Sequence, residues 1–229
     1  MASSTIPAAE PVLRLDLHRG GPGDVLGPIS LSLAPGETMA LTGPSGVGKT
    51  SLLRIVAGLD RRFAGNRMAT ERIAMVFQEP TLLPWRSALD NLTVIARISR
   101  DEAESWLGDV GLAGLGARFP GMLSVGQQRR LSLARAFAAA PDLLLMDEPF
   151  VSLDPELASE MMGLFERLIA RRPCATLLVT HVRAEAERLA SRICRLEGRP
   201  ARLVEEDDND QKAGAYFQLS ASGVTTSRS

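Results

Sequence analysis

At 229 residues and 24.6 kDa the chain is long enough for one large domain with a sizeable core. Its 26 basic residues nearly cancel its 27 acidic ones, leaving a net charge of −1 and an isoelectric point of about 6.2, a balance that argues against nucleic acid as the main partner. Hydrophobic residues make up 45%, yet no stretch stays apolar long enough to cross a bilayer, and residues 1–7 lack the basic start and apolar middle of a secretory leader. Cys174 and Cys194 match no metal or redox spacing and read as buried thiols of a reducing compartment, so a cytoplasmic address is expected.

Residues 1–11, rich in Ala, Ser and Pro, are expected to fray. Leu13, Leu15 and Leu17 alternate with polar residues, as do Ile29, Leu31 and Leu33, which predicts two half-buried strands. Residues 18–28 between them, with four glycines, read as a loop. Pro35-Gly36-Glu37 turns the chain into a short buried strand, Thr38-Met39-Ala40-Leu41-Thr42.

The next eight residues, Gly43-Pro44-Ser45-Gly46-Val47-Gly48-Lys49-Thr50, fit the phosphate-loop pattern G-x-x-x-x-G-K-[ST], between a strand and a helix that Ser51 continues and Gly58 ends. Glycines let successive N–H groups turn inward around a polyphosphate, and the helix start adds partial positive charge. Residues 43–51 are therefore assigned to nucleotide binding, with Lys49 reaching the β- and γ-phosphates and the Thr50 hydroxyl on Mg²⁺.

Residues 61–72 read as polar and irregular. Ile73-Ala74-Met75-Val76-Phe77 is a strand that delivers Gln78, a neutral amide able to touch Mg²⁺ and let go. Pro80 and Pro84 exclude a regular element before Ser87 opens a helix. Asp101 with Glu104 has the form of a capping box for another. Leu123-Ser124-Val125-Gly126-Gln127 introduces a further helix with Ser124 as its cap and Gln127 as box partner; its free N–H groups suit an anion arriving from outside the chain. The apolar run 143–146 predicts a strand covered on both faces and ends in Asp147-Glu148-Pro149. Asp154-Pro155 caps and opens a helix, a buried strand over 175–180 brings up His181, and a strand is expected over 193–196.

Gln78, Asp147-Glu148 and His181 thus come to the carboxyl edge of one sheet, where ligands bind in open α/β folds. Asp147 is assigned to Mg²⁺ and Glu148 to taking a proton from the attacking water. Pro149 is expected to restrict Glu148 to an extended backbone. His181 is assigned a hydrogen bond to the γ-phosphate.

Taken together, these motifs resemble those of ATP-binding cassette (ABC) ATPases over about residues 13–203. Phe77-Gln78 resembles the family's Q-loop and 123–127 its signature. Residues 143–148 resemble the second nucleotide motif, Ser152-Leu153-Asp154 the D-loop, and His181 the switch histidine. The resemblance implies a phosphate-loop NTPase fold: a RecA-like α/β core with a small antiparallel β part and an inserted helical subdomain. The cassette would span 1–204, its helical part about 80–136, with an acidic, Ser/Thr-rich tail over 205–229. It implies two cassettes packed head to tail around two ATP molecules. Ser124, Gly126 and Gln127 of one would close on the nucleotide held by Lys49 of the other. Glu148, His181 and Lys49 would be the catalytic groups. It further implies docking on membrane permease subunits through residues 78–85, on the cytoplasmic face of the membrane; no nucleic acid partner is expected, from the lack of basic excess. The stretch 77–85 is similar to that of importer ATPases for nitrate, sulfonate and taurine, which implies a periplasmic solute-binding protein as well.

Three departures from the family pattern carry expectations. Val125 stands where Gly is usual, so a backbone needing positive φ there would be costly and closure weakened. Residues 18–28 lack the aromatic on which adenine stacks. The segment between Gly58 and Ile73 is short, so the β part is expected to be reduced. Two other readings share some of the residues: a soluble cassette ATPase acting on DNA or ribosomes, and a phosphate-loop kinase. Against the first stand the lack of coiled-coil heptads, of a second cassette and of basic excess; a kinase has no use for 124–127 meeting ATP in trans.

Overall fold

The computed structural model describes residues 10–205; the expected frayed start and the acidic tail beyond Glu205 lie outside them. Two sheets are present among the described residues. Strand β1 (Leu13–Gly20) pairs antiparallel on one side with β2 (Ile29–Leu33) and on the other with β4 (Phe63–Ala69). The larger sheet has the order β5-β6-β7-β3-β8-β9, from β3 (Thr38–Thr42), β5 (Ile73–Val76), β6 (Leu143–Asp147), β7 (Ala175–Val179), β8 (Arg192–Gly198) and β9 (Ala201–Glu205). Its first five strands are parallel, and β9 returns antiparallel to β8.

Alternation along the parallel strands explains their uninterrupted apolar runs. Leu143, Leu145, Leu177 and Val179 face one apolar cluster, with Leu52, Leu53, Ile55 and Val56 of helix α1 (Lys49–Val56) and the inner face of the small sheet. Leu144, Met146 and Leu178 face the other, built with Leu164, Phe165 and Leu168 of α5 (Pro155–Arg171). A strand buried on both faces has no room for a charged side chain along its length, so the charged groups come at its end.

The polar stretch 61–72 contains a strand, β4, rather than irregular chain. An edge strand of a small sheet with little burial needs no apolar alternation, so none shows. Gly65 is required in it: at φ 141°, a Cβ there would run into the Asp16 carbonyl of β1, where the register shifts. The β part therefore keeps three strands despite the short segment. Likewise β1 runs through His18 to Gly20, past the expected start of a loop, and His18 is an exposed strand residue.

Between β5 and β6 lie α2 (Ala88–Ala96), α3 (Arg100–Asp109) and α4 (Val125–Ala138), the helical middle expected from sequence. The α3 cap is not Asp101 but Ser99. Its hydroxyl accepts from the Glu102 amide at 3.2 Å while Glu102 Oε2 accepts from the Ser99 amide at 3.1 Å. Ser99 precedes a second x-x-Glu pattern, and the helix begins at the first that can close. The three helices share one apolar cluster with α5 and a face of the main sheet. At its centre the Phe137 and Phe165 rings lie 6.1 Å apart at 58°. Phe137→Ala should cost about 3–5 kcal/mol, read as a lower urea midpoint with the slope unchanged.

Candidate active site

The loop between β3 and α1 is shaped by three glycines at positive φ: Gly43 at 138°, Gly46 at 75° and Gly48 at 115°. A Cβ on Gly43 would strike the Leu196 carbonyl, and one on Gly48 would sit 2.7 Å from Leu26 Cδ2. Only glycine permits both the left-handed turn and the close approach. Gly48 caps α1 without a side-chain bond, so the first-turn N–H groups are left for an anion. Lys49 follows, 5% exposed, its Nζ donating to the Gly43 carbonyl at 2.9 Å and the Pro44 carbonyl at 3.1 Å. Val47 turns into the core and offers the loop only its backbone.

Around this loop the strand ends gather as expected. Thr50 Oγ1 donates to Asp147 Oδ1 at 3.2 Å. Glu148 Oε1 lies 3.7 Å from Lys49 Nζ, and its Oε2 lies 3.3 Å from His181 Nδ1. Two cavities flank the loop. One, of about 440 Å³, is lined by Gln78, Asp147, Thr50 and Ser51 and reaches Pro22 and Val25. The other, of about 550 Å³, is lined by Gly43, Pro44, His181 and Arg195. Ser45, Lys49 and Glu148 border both, so Gln78 and His181 stand on opposite sides of the Glu148 carboxylate.

Glu148 is not extended. Its φ is +47°, a left-handed backbone on a residue with a Cβ, and its amide donates to the Val179 carbonyl of β7 at 2.9 Å. Proline disfavours the right-handed helical region for its predecessor, but the left-handed well stays open when tertiary bonds demand it. Burial pushes the Asp147 carboxyl above its ordinary range, with the Thr50 hydroxyl opposing and the Glu148 charge adding to it.

Thr50, Asp147 and Gln78 present oxygen donors to one cavity, and no group of three or more His, Cys, Asp or Glu that could hold a metal ion occurs among the described residues. Such a sparse oxygen set fits a hard ion that keeps waters and takes phosphate oxygens, as Mg²⁺ does.

Ser124, Gly126 and Gln127 lie elsewhere, over a separate cavity of about 500 Å³ that also includes Val125, Arg130 and Leu157. The expected capping box is present: the Ser124 hydroxyl accepts from the Gln127 amide at 3.2 Å and Gln127 Oε1 from the Ser124 amide at 3.0 Å. Val125 is the first residue of α4 and is not among the positive-φ residues. The expected backbone cost therefore does not arise. What Val125 adds is an isopropyl group, the residue 61% exposed, at the mouth of that cavity.

Three supporting residues went unseen in the sequence. Asn91 of α2, wholly buried, accepts from the Leu83 amide at 2.8 Å and donates to the Leu83, Arg86 and Ser87 carbonyls at 3.0–3.2 Å. Arg135 of α4 donates to the Thr81 carbonyl at 2.7 Å. Between them they fix the irregular segment that leaves Trp85 69% exposed, whereas Leu82 packs on the core. Buried Glu185 accepts from the Thr180 hydroxyl at 2.5 Å, bracing the turn that carries His181. Asn91, a polar residue between Leu89 and Leu92, was the legible signal; Glu185 and Arg135 had none.

A phosphate loop, a buried lysine and two strand-end carboxylates define a nucleotide triphosphatase. The ABC transporter family model matches residues 26–151. The chain is 44% identical over 182 residues to an aliphatic sulfonates import ATP-binding protein of Rhodococcus jostii, covering 77% of this chain and 74% of that one. It is 46% identical over 179 residues to a namesake of Granulibacter bethesdensis, covering 77% and 75%. Among solved structures, the dimeric post-hydrolysis state of the ATP-binding cassette MJ0796, bound to ADP and Pi, matches with a TM-score of 0.72 at 26% identity, covering 85% of this chain and 98% of that one. The chain belongs to the ABC transporter family, as an ATP-binding subunit with the cassette fold and ATPase activity.

A carboxyl whose folded pKa is raised destabilises the protein once pH climbs through the window from its unfolded to its folded pKa. Asp147→Asn should therefore raise the Tm of the nucleotide-free protein at neutral pH. The gain should vanish below that window. Thermal melts across pH check it.

Proposed function

We propose that the chain is the ATP-hydrolysing motor of an importer for a small sulfonate-type anion, and that it works as a head-to-tail dimer with two ATP molecules at the interface. The observation that carries this reading is the Glu148 carboxylate, held beside both Lys49 and His181 at the end of a buried strand. Incoming phosphate oxygens take over the Lys49 ammonium from the Gly43 and Pro44 carbonyls, and the α1 N–H groups meet the remaining charge. Residues 43–51 form this cradle. Thr50, Asp147 and Gln78 hold Mg²⁺, which when bound neutralises charge on the β- and γ-phosphates. Glu148 takes the proton of the attacking water, and His181 donates to the γ-phosphate.

Ser124, Gly126 and Gln127 face a cavity that shares no residue with the phosphate loop, which suits a role toward the nucleotide of a second copy and sets this chain apart from a kinase acting alone. A cassette over 1–204, with its helical part at about 80–136, follows the same plan. The importer and sulfonate assignments rest on the names of the relatives and on the stretch 77–85. No helix among the described residues is long and apolar enough to cross a membrane. On the importer reading we assign the chain to the cytoplasmic face of the membrane, on permease subunits served by a periplasmic binding protein, with Trp85 at the contact.

Glu148→Gln is expected to keep ATP affinity, lose turnover by at least about a hundredfold, and accumulate as an ATP-bound dimer in sedimentation. Hydrolysis at the wild-type rate would remove Glu148 as the base. Trp85→Ala, and Asn91→Ala through loss of the loop that presents Trp85, should each abolish recruitment to vesicles carrying the cognate permease; recruitment at wild-type level would place the contact elsewhere.

A further inference from the structure

Residues 148–152 form a tight double turn after β6, with left-handed backbone at both ends: φ is +47° at Glu148 and +60° at Ser152, neither a glycine. Such residues each cost on the order of 1 kcal/mol and persist only when their surroundings hold them. The turn's own bonds are long, Val151 N–H to the Glu148 carbonyl at 3.3 Å and Leu153 N–H to the Phe150 carbonyl at 3.4 Å. The shorter ones come from outside. Arg129, on the second turn of α4, donates from Nη1 to the Pro149 carbonyl at 2.7 Å and from Nη2 to the Val151 carbonyl at 3.2 Å.

The site is a poor place for a cation unless those carbonyls need it. Arg129 lines the same small apolar space as Phe77, Pro80, Met146 and Phe150, and its Nε–H is buried with no hydrogen-bond partner among the described residues. Burial draws the guanidinium pKa down, with the Glu79 carboxylate opposing. An apolar side chain would fill the same space without the desolvation cost. What only a planar fork supplies is two parallel donors reaching carbonyls two residues apart. Its neighbour Arg130 turns instead to Glu160 at 2.6 Å and takes no part.

We propose that Arg129 is a positioning residue for Glu148: its guanidinium bridges the Pro149 and Val151 carbonyls and so holds the left-handed turn that aims the carboxylate at Lys49 and His181. This rests on Glu148 being the base. Arg129 touches neither cavity beside the phosphate loop, so its loss should leave nucleotide binding alone and act on turnover.

The test is steady-state ATPase kinetics of the full chain with Arg129→Ala and Arg129→Lys, each also in the Glu148→Gln background. Arg129→Ala should lower kcat about tenfold with KM for MgATP within about twofold. Arg129→Lys, whose ammonium can meet one carbonyl but not span both, should still lie at least about threefold below wild type. In Glu148→Gln, adding Arg129→Ala should change the residual rate less than about twofold, because the residue it acts through is already gone. A wild-type kcat in either variant, or an equal slowing with and without Glu148, overturns the proposal. If Arg129→Ala does not fold, the lysine variant decides alone by the same criterion. Wild-type hydrolysis by Glu148→Gln would instead remove the reading on which this rests, whereas an inactive Glu148→Gln beside a fully active Arg129→Ala removes only the role of Arg129.

Discussion

An ammonium group taken almost entirely out of water must have its hydrogens met, and the architecture of the site follows from how Lys49 meets its own. Two carbonyls of its own loop, those of Gly43 and Pro44, turn back to it, and the Glu148 carboxylate stands 3.7 Å away. The loop turns back because Gly43, Gly46 and Gly48 take positive φ, and at Gly43 and Gly48 a Cβ would also collide with its neighbours. The lysine is thus held by neutral acceptors that an anionic phosphate would outcompete, since full negative charge adds a coulombic attraction that a carbonyl dipole lacks. Placement of Glu148, of Asp147 beside Thr50 and of His181 on the far side of the carboxylate all refer back to that buried charge.

The sheet makes such a gathering unavoidable. With β6 and β7 covered on both faces, their charged residues come at the ends, and the parallel arrangement puts those ends on one edge with β3. The Asp147 carboxyl shows what this costs: burial raises its pKa, disfavouring the charged form. A divalent cation beside it would reverse that preference.

Around the core, a second set of polar contacts fixes loops rather than chemistry. Asn91 meets four backbone groups over residues 83–87, and Arg135 holds Thr81, so that Trp85 stands out from a segment that would otherwise have no reason to keep one shape. Arg129 does the same for the turn after β6. Asn91 and Arg135 brace the start of the inserted segment from within, whereas Arg129 reaches from it to the loop leaving β6, so the two parts of the chain are joined by directed bonds as well as by a shared apolar cluster.

From the amino-acid sequence alone came the phosphate loop, the strand-end carboxylates, Gln78, His181, the capping box at Ser124 and the order of βα units, because each is written in contiguous residues whose spacing reflects local geometry. The family could be inferred from the same run of motifs. Tertiary structure alone decided the rest. It made a strand of residues 63–69 through pairing with β1, which no periodicity announced. It drew Glu148 into a left-handed backbone through a bond to Val179, thirty-one residues away in sequence. It placed Val125 in an ordinary helical turn, and it brought Arg129 onto carbonyls twenty and twenty-two residues distant. Local patterns report what a residue prefers; which distant backbone group it must serve is set only when the chain has closed around its core.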